Sequence, residues 1–166
     1  GASGLALARQ FGPKEPPRRI WSFFTLGWWC WVLGEAVGFV LRALYPEEYP
    51  VLTVNHFLWM LGYVFFAISL FLQLRQIYTR KVKANRYHFG LILLGILLAA
   101  AVATILGMRS RPDGFAAWLS AYLNNFYPLC DFLFGAAALW LAIVFQRGVW
   151  ARPWWGLIAF AVADGI

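Results

Sequence analysis

Long apolar runs constrain this chain more than any motif does. Crossing the hydrocarbon layer of a bilayer, about 30 Å thick, takes about 20 mostly apolar residues in a helix. Four stretches reach that length: Ile20 to Leu44, Leu52 to Ile77, Tyr87 to Gly107 and Phe115 to Phe145. A fifth begins at Pro153 and reads "PWWGLIAFAVADGI". Its 14 residues extend only about 21 Å at about 1.5 Å per residue, so an incomplete last span is expected, as in a fragment of a longer chain. The expected fold class is all-α: an integral membrane helical bundle of about five transmembrane helices joined by short loops as antiparallel hairpins.

Composition separates such spans from ordinary core helices. The 166 residues are 62% hydrophobic and 13% charged, against about 45 to 50% apolar and about 25% charged in a soluble domain. The length suits one bundle and leaves no room for a separate soluble catalytic domain. Residues 1–19 read as a basic cytoplasmic segment whose opening, "GASGLALARQ", resembles the end of an upstream helix, and residues 20–166 read as the transmembrane domain.

The net charge of +7 is a topology signal, because cytoplasmic loops keep the excess of Lys and Arg. Arg9, Lys14, Arg18, Arg19, Arg75, Arg80, Lys81, Lys83, Arg86, Arg147 and Arg152 fall on one side of the expected membrane, and Arg42, Arg109 and Arg111 on the other. Eleven against three places residues 1–19 in the cytoplasm. The densest run, "RQIYTRKVKANRYH", joins two membrane helices with no folded reader around it, so it reads as a loop over anionic headgroups and not as a nucleic-acid site. On the other side "YPEEYP" and "RSRPDG" are turn-rich connections, the Pro-Asp-Gly setting φ at Pro and allowing positive φ at Gly.

Three carboxylates lie inside the expected spans: Glu35, Asp131 and Asp164. A charge at mid-bilayer costs at least about 2.5 to 3.5 kcal/mol, and no Lys or Arg sits at comparable depth to pair with them. Neutral acids hydrogen-bonded to neighbours such as Tyr63, Tyr127 and Asn125 are therefore expected, holding helices together. Asp131 is expected to face the bundle interior as a structural acid beside a kink at Pro128, whose missing N–H frees a backbone carbonyl. A proton or cation path is the rival reading; no helix carries the continuous polar stripe it would need.

Aromatic residues make up 19% of the chain, ten of them Trp, and many stand near expected helix ends, where amphipathic rings anchor in the headgroup layer. A pigment or lipid pocket is the second reading of that content. His56 and His88 are the candidate pigment ligands, but they fall at opposite faces of the membrane and cannot clamp one macrocycle together. Cys30 and Cys130 lie singly in apolar runs, so no disulfide, zinc or haem-attachment motif is suggested. No metal site and no catalytic residue is expected, and no cofactor beyond lipid or pigment contact: the sequence has no nucleophile with a base and no glycine-rich phosphate cradle. Gly34, Gly38, Gly62, Gly95 and Gly135 read as close-packing positions between helices, "GEAVG" having small residues four apart.

The helices also resemble one another. "WWCWVLGEAVGF" and "WWGLIAFAVADGI" share a Trp pair and a later small residue followed by an acid, with a shift of three positions; "NHFLWMLGYVFF" and "NNFYPLCDFLFG" share an Asn start and a Tyr, at Tyr63 and Tyr127. A two-helix internal repeat is the expected plan.

In order, "IWSFFTLGWWCWVLGEAVGFVLR", "FLWMLGYVFFAISLFL", "YPLCDFLFGAAALWLAIV" and "PWWGLIAFAVADGI" resemble the amino-terminal multi-helix membrane region found ahead of bacterial GGDEF diguanylate cyclases, EAL phosphodiesterases and some sensor histidine kinases. The likeness covers roughly Ile20 to Ile166, and its motifs are of moderate specificity. Gly34 and Glu35, Gly62 and Tyr63, Tyr127, Pro128 and Asp131, and Asp164 fill that group's positions. Trp59 stands where it has Tyr, Val64 where it has Pro, and "PVLTVNH" lacks its acid.

The resemblance implies a non-enzymatic sensory input module in a bacterial inner membrane, its partners the lipid bilayer and other membrane helices. The alternative is a small structural subunit of a photosynthetic or respiratory membrane complex.

Overall fold

A computed structural model of the chain describes residues 2–46, 53–79, 90, 114–145 and 149–164. Among these there is no strand. The helices are α1 (Ala2–Arg9), α2 (Pro16–Leu44), α3 (Val54–Thr79), α4 (Phe115–Val144) and α5 (Arg152–Asp164), a 3-10 turn at Val149–Ala151 leading into the last. The all-helical expectation holds. Three helices are long and apolar enough to cross a membrane, over Pro16–Leu44, Val54–Ile77 and Ala117–Val144. The expected span from Tyr87 to Gly107, with His88 and Gly95, lies outside the described residues. The chain divides into two compact units, residues 1–82 and 83–166.

The first unit contains α1, α2 and α3. Pro16 and Pro17 open α2 behind the extended Glu15, where a missing N–H leaves no helical bond unmade. At eight residues α1 is too short to hold its helix alone; it lies on α2, with Gly4 against Thr25 and Ala8 buried.

Along α2 the contacts with α3 run in opposite order. Ile20 meets Ser69, Gly27 meets Phe66, Trp31 meets Gly62, Gly34 meets Trp59 and Gly38 meets Asn55. The pair is therefore antiparallel. On α3 the contact residues Asn55, Trp59, Gly62, Phe66 and Ser69 are separated by alternate steps of four and three, the seam of a left-handed helix pair. Four of the five contacts set a large or polar side chain against a glycine, so the backbones approach closely.

In the second unit α4 begins after Gly114, whose φ of 94° suits glycine best; Trp118 N–H donates to the Gly114 carbonyl at 3.0 Å. α4 packs on α5 through Gly135 and Ala161. Ala138, Trp140, Leu141 and Ala142 of α4 and Trp154, Leu157 and Ala161 of α5 are buried.

Outward faces are as apolar as inward ones: Phe39 on α2, Phe57 and Phe71 on α3, and Phe132 and Ile143 on α4 are all exposed. A helix that is hydrophobic all round belongs in a membrane or deep inside a large assembly.

Candidate functional site

Within such helices the informative residues are buried polar ones. Among the described residues these are Thr25, Thr53, Asn55, Ser69, Gln73 and Asp131. In the first unit Ser69 Oγ donates to the Ile20 carbonyl at 3.0 Å and ties α3 to α2. Thr25 Oγ1 donates instead to Trp21 of its own helix, at 2.7 Å.

The other end of the seam holds a mixed polar and aromatic cluster. The Thr53 hydroxyl donates to Asn55 Oδ1, and His56 N–H donates to the Thr53 carbonyl at 3.1 Å. Asn55 is fully buried against Gly38, where an added methyl would lie 3.2 Å from Nδ2. That amide nitrogen has no hydrogen-bond partner among the described residues. Next along the seam, Trp59 stacks on Trp31 with centroids 5.8 Å apart. Tyr63 meets Trp31 edge to face at 5.5 Å, and the His56 ring meets Trp59 at 5.2 Å, also edge on. Two of the expected residues, Tyr63 and His56, thus join one cluster, while Glu35, next to the buried Gly34, is exposed.

In the second unit Asp131 is buried, 2% exposed, on α4. The helix runs without interruption through Pro128. Tyr127 lies one turn before Asp131 and is half-buried. Asn125 donates its side-chain amide to the Ala121 carbonyl of the same helix at 2.7 Å, which uses that donor locally. Asp164 is the last residue of α5. Phe115, Trp118, Tyr122 and Phe126 form a stacked ladder along α4, successive centroids 6.3, 5.8 and 5.9 Å apart. The first three are exposed. Cys30 and Cys130 are free thiols, and no group of three potential metal ligands occurs among the described residues.

Sequence reasoning singled out Asp131 but missed Asn55 and the Trp31–Trp59 pair. An Asn near a helix start ordinarily reads as a solvent-facing cap; the signal that distinguishes it is its place in the four-and-three series on α3. Chemically, a buried carboxyl and a buried amide are hydrogen-bonding groups in dry surroundings, where gaining or losing one partner weighs more than in water. None of the protein families, curated proteins or solved structures compared with this chain matches it.

Proposed function

We propose that the chain is a non-enzymatic, membrane-embedded input module of signal transduction, set in a bacterial inner membrane with residues 1–19 in the cytoplasm. The observation that carries this reading is the burial of Asp131, the one charged residue of α4. Ionisable side chains inside a span are expensive and mark functional positions. Signalling would be a shift between two packings of the bundle; moving such an equilibrium from 1:99 to 99:1 takes about 5.5 kcal/mol of differential binding. The packed pairs, α2 with α3 and α4 with α5, support a two-helix repeat as the building plan, and the likeness to membrane regions ahead of GGDEF, EAL and histidine kinase outputs supplies the signalling class.

The exposed aromatic ladder of α4 favours a second reading, a structural subunit that presents rings to a neighbouring helix, lipid or pigment. Gentle purification from the native membrane, followed by the intact mass of the chain and of everything bound to it, separates the two. A longer chain carrying a cytoplasmic output domain supports the input module. A fixed-ratio assembly with a large complex overturns it, as would unchanged output after neutralising Glu35, Asp131 and Asp164 together.

A further inference from the structure

We propose that a basic hollow at the Pro16 end of α2 is a binding site for a phosphate group. The antiparallel pairing of α2 and α3 brings the start of one beside the end of the other, and between them lies a hollow of about 380 Å³ lined by Lys14, Pro16, Arg19, Leu72, Arg75 and Gln76. Small-ligand sites run from about 300 to about 1,000 Å³. Three of the six lining residues are cations and none is an acid. Glu15, although it stands between Lys14 and Pro16 in sequence, has its carboxylate beside Gly12 and is not part of the lining.

The side chains, not the helix ends, set the sign of this site. The partial positive charge at the start of α2 and the partial negative charge at the end of α3 are about half an elementary charge each and oppose one another. Pro16 and Pro17 also carry no N–H to offer an anion. What remains is three like charges in one hollow, whose mutual repulsion a bound anion relieves. Two guanidinium groups present the fork that fits phosphate oxygens, and Lys14 adds a point charge. Lys14, Arg19 and Arg75 are exposed, so the hollow is accessible. The apolar walls, Pro16 and Leu72, suit the carbon stem of a phosphate ester.

Two sources share this chemistry: the headgroup of an anionic phospholipid, and a soluble phosphate. The hollow lies where α2 and α3 would leave the hydrocarbon layer, on the side rich in Lys and Arg, and so at headgroup depth.

The test uses the full chain in a neutral, phosphate-free detergent, with bound species counted by native mass spectrometry. The probes are dioleoyl phosphatidylglycerol, dioleoyl phosphatidylcholine and inorganic phosphate. Phosphatidylglycerol is expected to bind about tenfold or more tighter than phosphatidylcholine, and the Arg19→Gln, Arg75→Gln double variant to lose about that factor. A control with Arg80→Gln, Lys81→Gln and Lys83→Gln removes more charge, from the basic run that follows α3 in sequence, and is expected to lose less than about threefold. The Arg19→Lys, Arg75→Lys variant keeps the charge and is expected to recover part of the affinity. Retention of the lipid in millimolar inorganic phosphate assigns the headgroup as the source; its displacement assigns the phosphate group itself. Equal losses in pocket and control variants, or no binding of phosphatidylglycerol or of inorganic phosphate, overturn the site. If the Gln variant fails to elute as the parent does, the comparison of the two lipids on the unmodified chain decides: phosphatidylcholine binding as tightly as phosphatidylglycerol overturns the site.

Discussion

Trp59 of α3 fills the space that a side chain at Gly34 of α2 would need: an added methyl there would lie 2.6 Å from the indole ring. Trp31 and Gly62 repeat the relation with the helices exchanged, at 2.7 Å. The two indoles stack on each other between the two glycines, so α2 and α3 are locked in register by a reciprocal large-to-small exchange. The residues on either side of the two glycines, Leu33 and Glu35 on α2 and Leu61 and Tyr63 on α3, all carry side chains that would take up that space.

Filling that gap should unlock the pair. Gly34→Leu is expected to destabilise the protein by at least the about 1 to 3 kcal/mol typical of overpacking, with Gly34→Ala intermediate. Thermal unfolding followed by tryptophan fluorescence checks this. Adding Trp59→Ala to Gly34→Leu should recover part of the loss, because the substitutions share one volume. Strict additivity of the two would contradict the exchange.

Ser69 and Thr25 are both buried hydroxyls, yet only Ser69 bonds across helices. Ser69→Ala is expected to cost about 0.6 kcal/mol, with a ceiling of about 1.7 kcal/mol, as for interhelical bonds in membrane proteins. Thr25→Val should cost less, since its bond only supplements a carbonyl on its own helix. A reversed order of melting temperatures would show that Ser69 does not join the helices.

Asp131 separates packing from signalling. Asp131→Asn keeps shape and hydrogen-bonding capacity and is expected to melt within about 1 kcal/mol of the parent, whereas Asp131→Ala leaves partners unsatisfied and should cost about 1 to 3 kcal/mol. Under the proposed function the Asn variant nevertheless alters output. Unchanged output with a normal melting curve would make Asp131 a packing residue.

Topology can be read with a membrane-impermeant maleimide after Cys30 and Cys130 are replaced by Ala. Glu47→Cys is expected to label in intact spheroplasts and Lys14→Cys only after lysis, following the asymmetry of Lys and Arg. Labelling of both from one side would remove the assigned orientation.

How much of this was legible depends on whether the governing physics is local. Apolar length is a local property, so the expected runs from Ile20 and Phe115 coincide with α2 and α4 within a few residues of their ends. Asp131 stood out for the same reason, as a lone acid in such a run. Its inward place followed from the cost of an unpaired charge at mid-bilayer, and it is buried; the exposure of Glu35 beside a buried Gly34 was not legible.

The amino-acid order alone therefore determined that the described residues are helical, where the three long apolar helices among them run, and that Gly34, Gly38, Gly62 and Gly135 are packing positions. Tertiary structure decided which faces meet: Trp31 over Gly62, Trp59 over Gly34, Asn55 shut against Gly38, and the cations Lys14, Arg19 and Arg75 gathered around one hollow. The physical reason is that helices apolar on every side carry no hydrophobic stripe to mark a buried face. In their place, shape complementarity between rings and glycines selects the contact, and that becomes visible only when two helices are brought together.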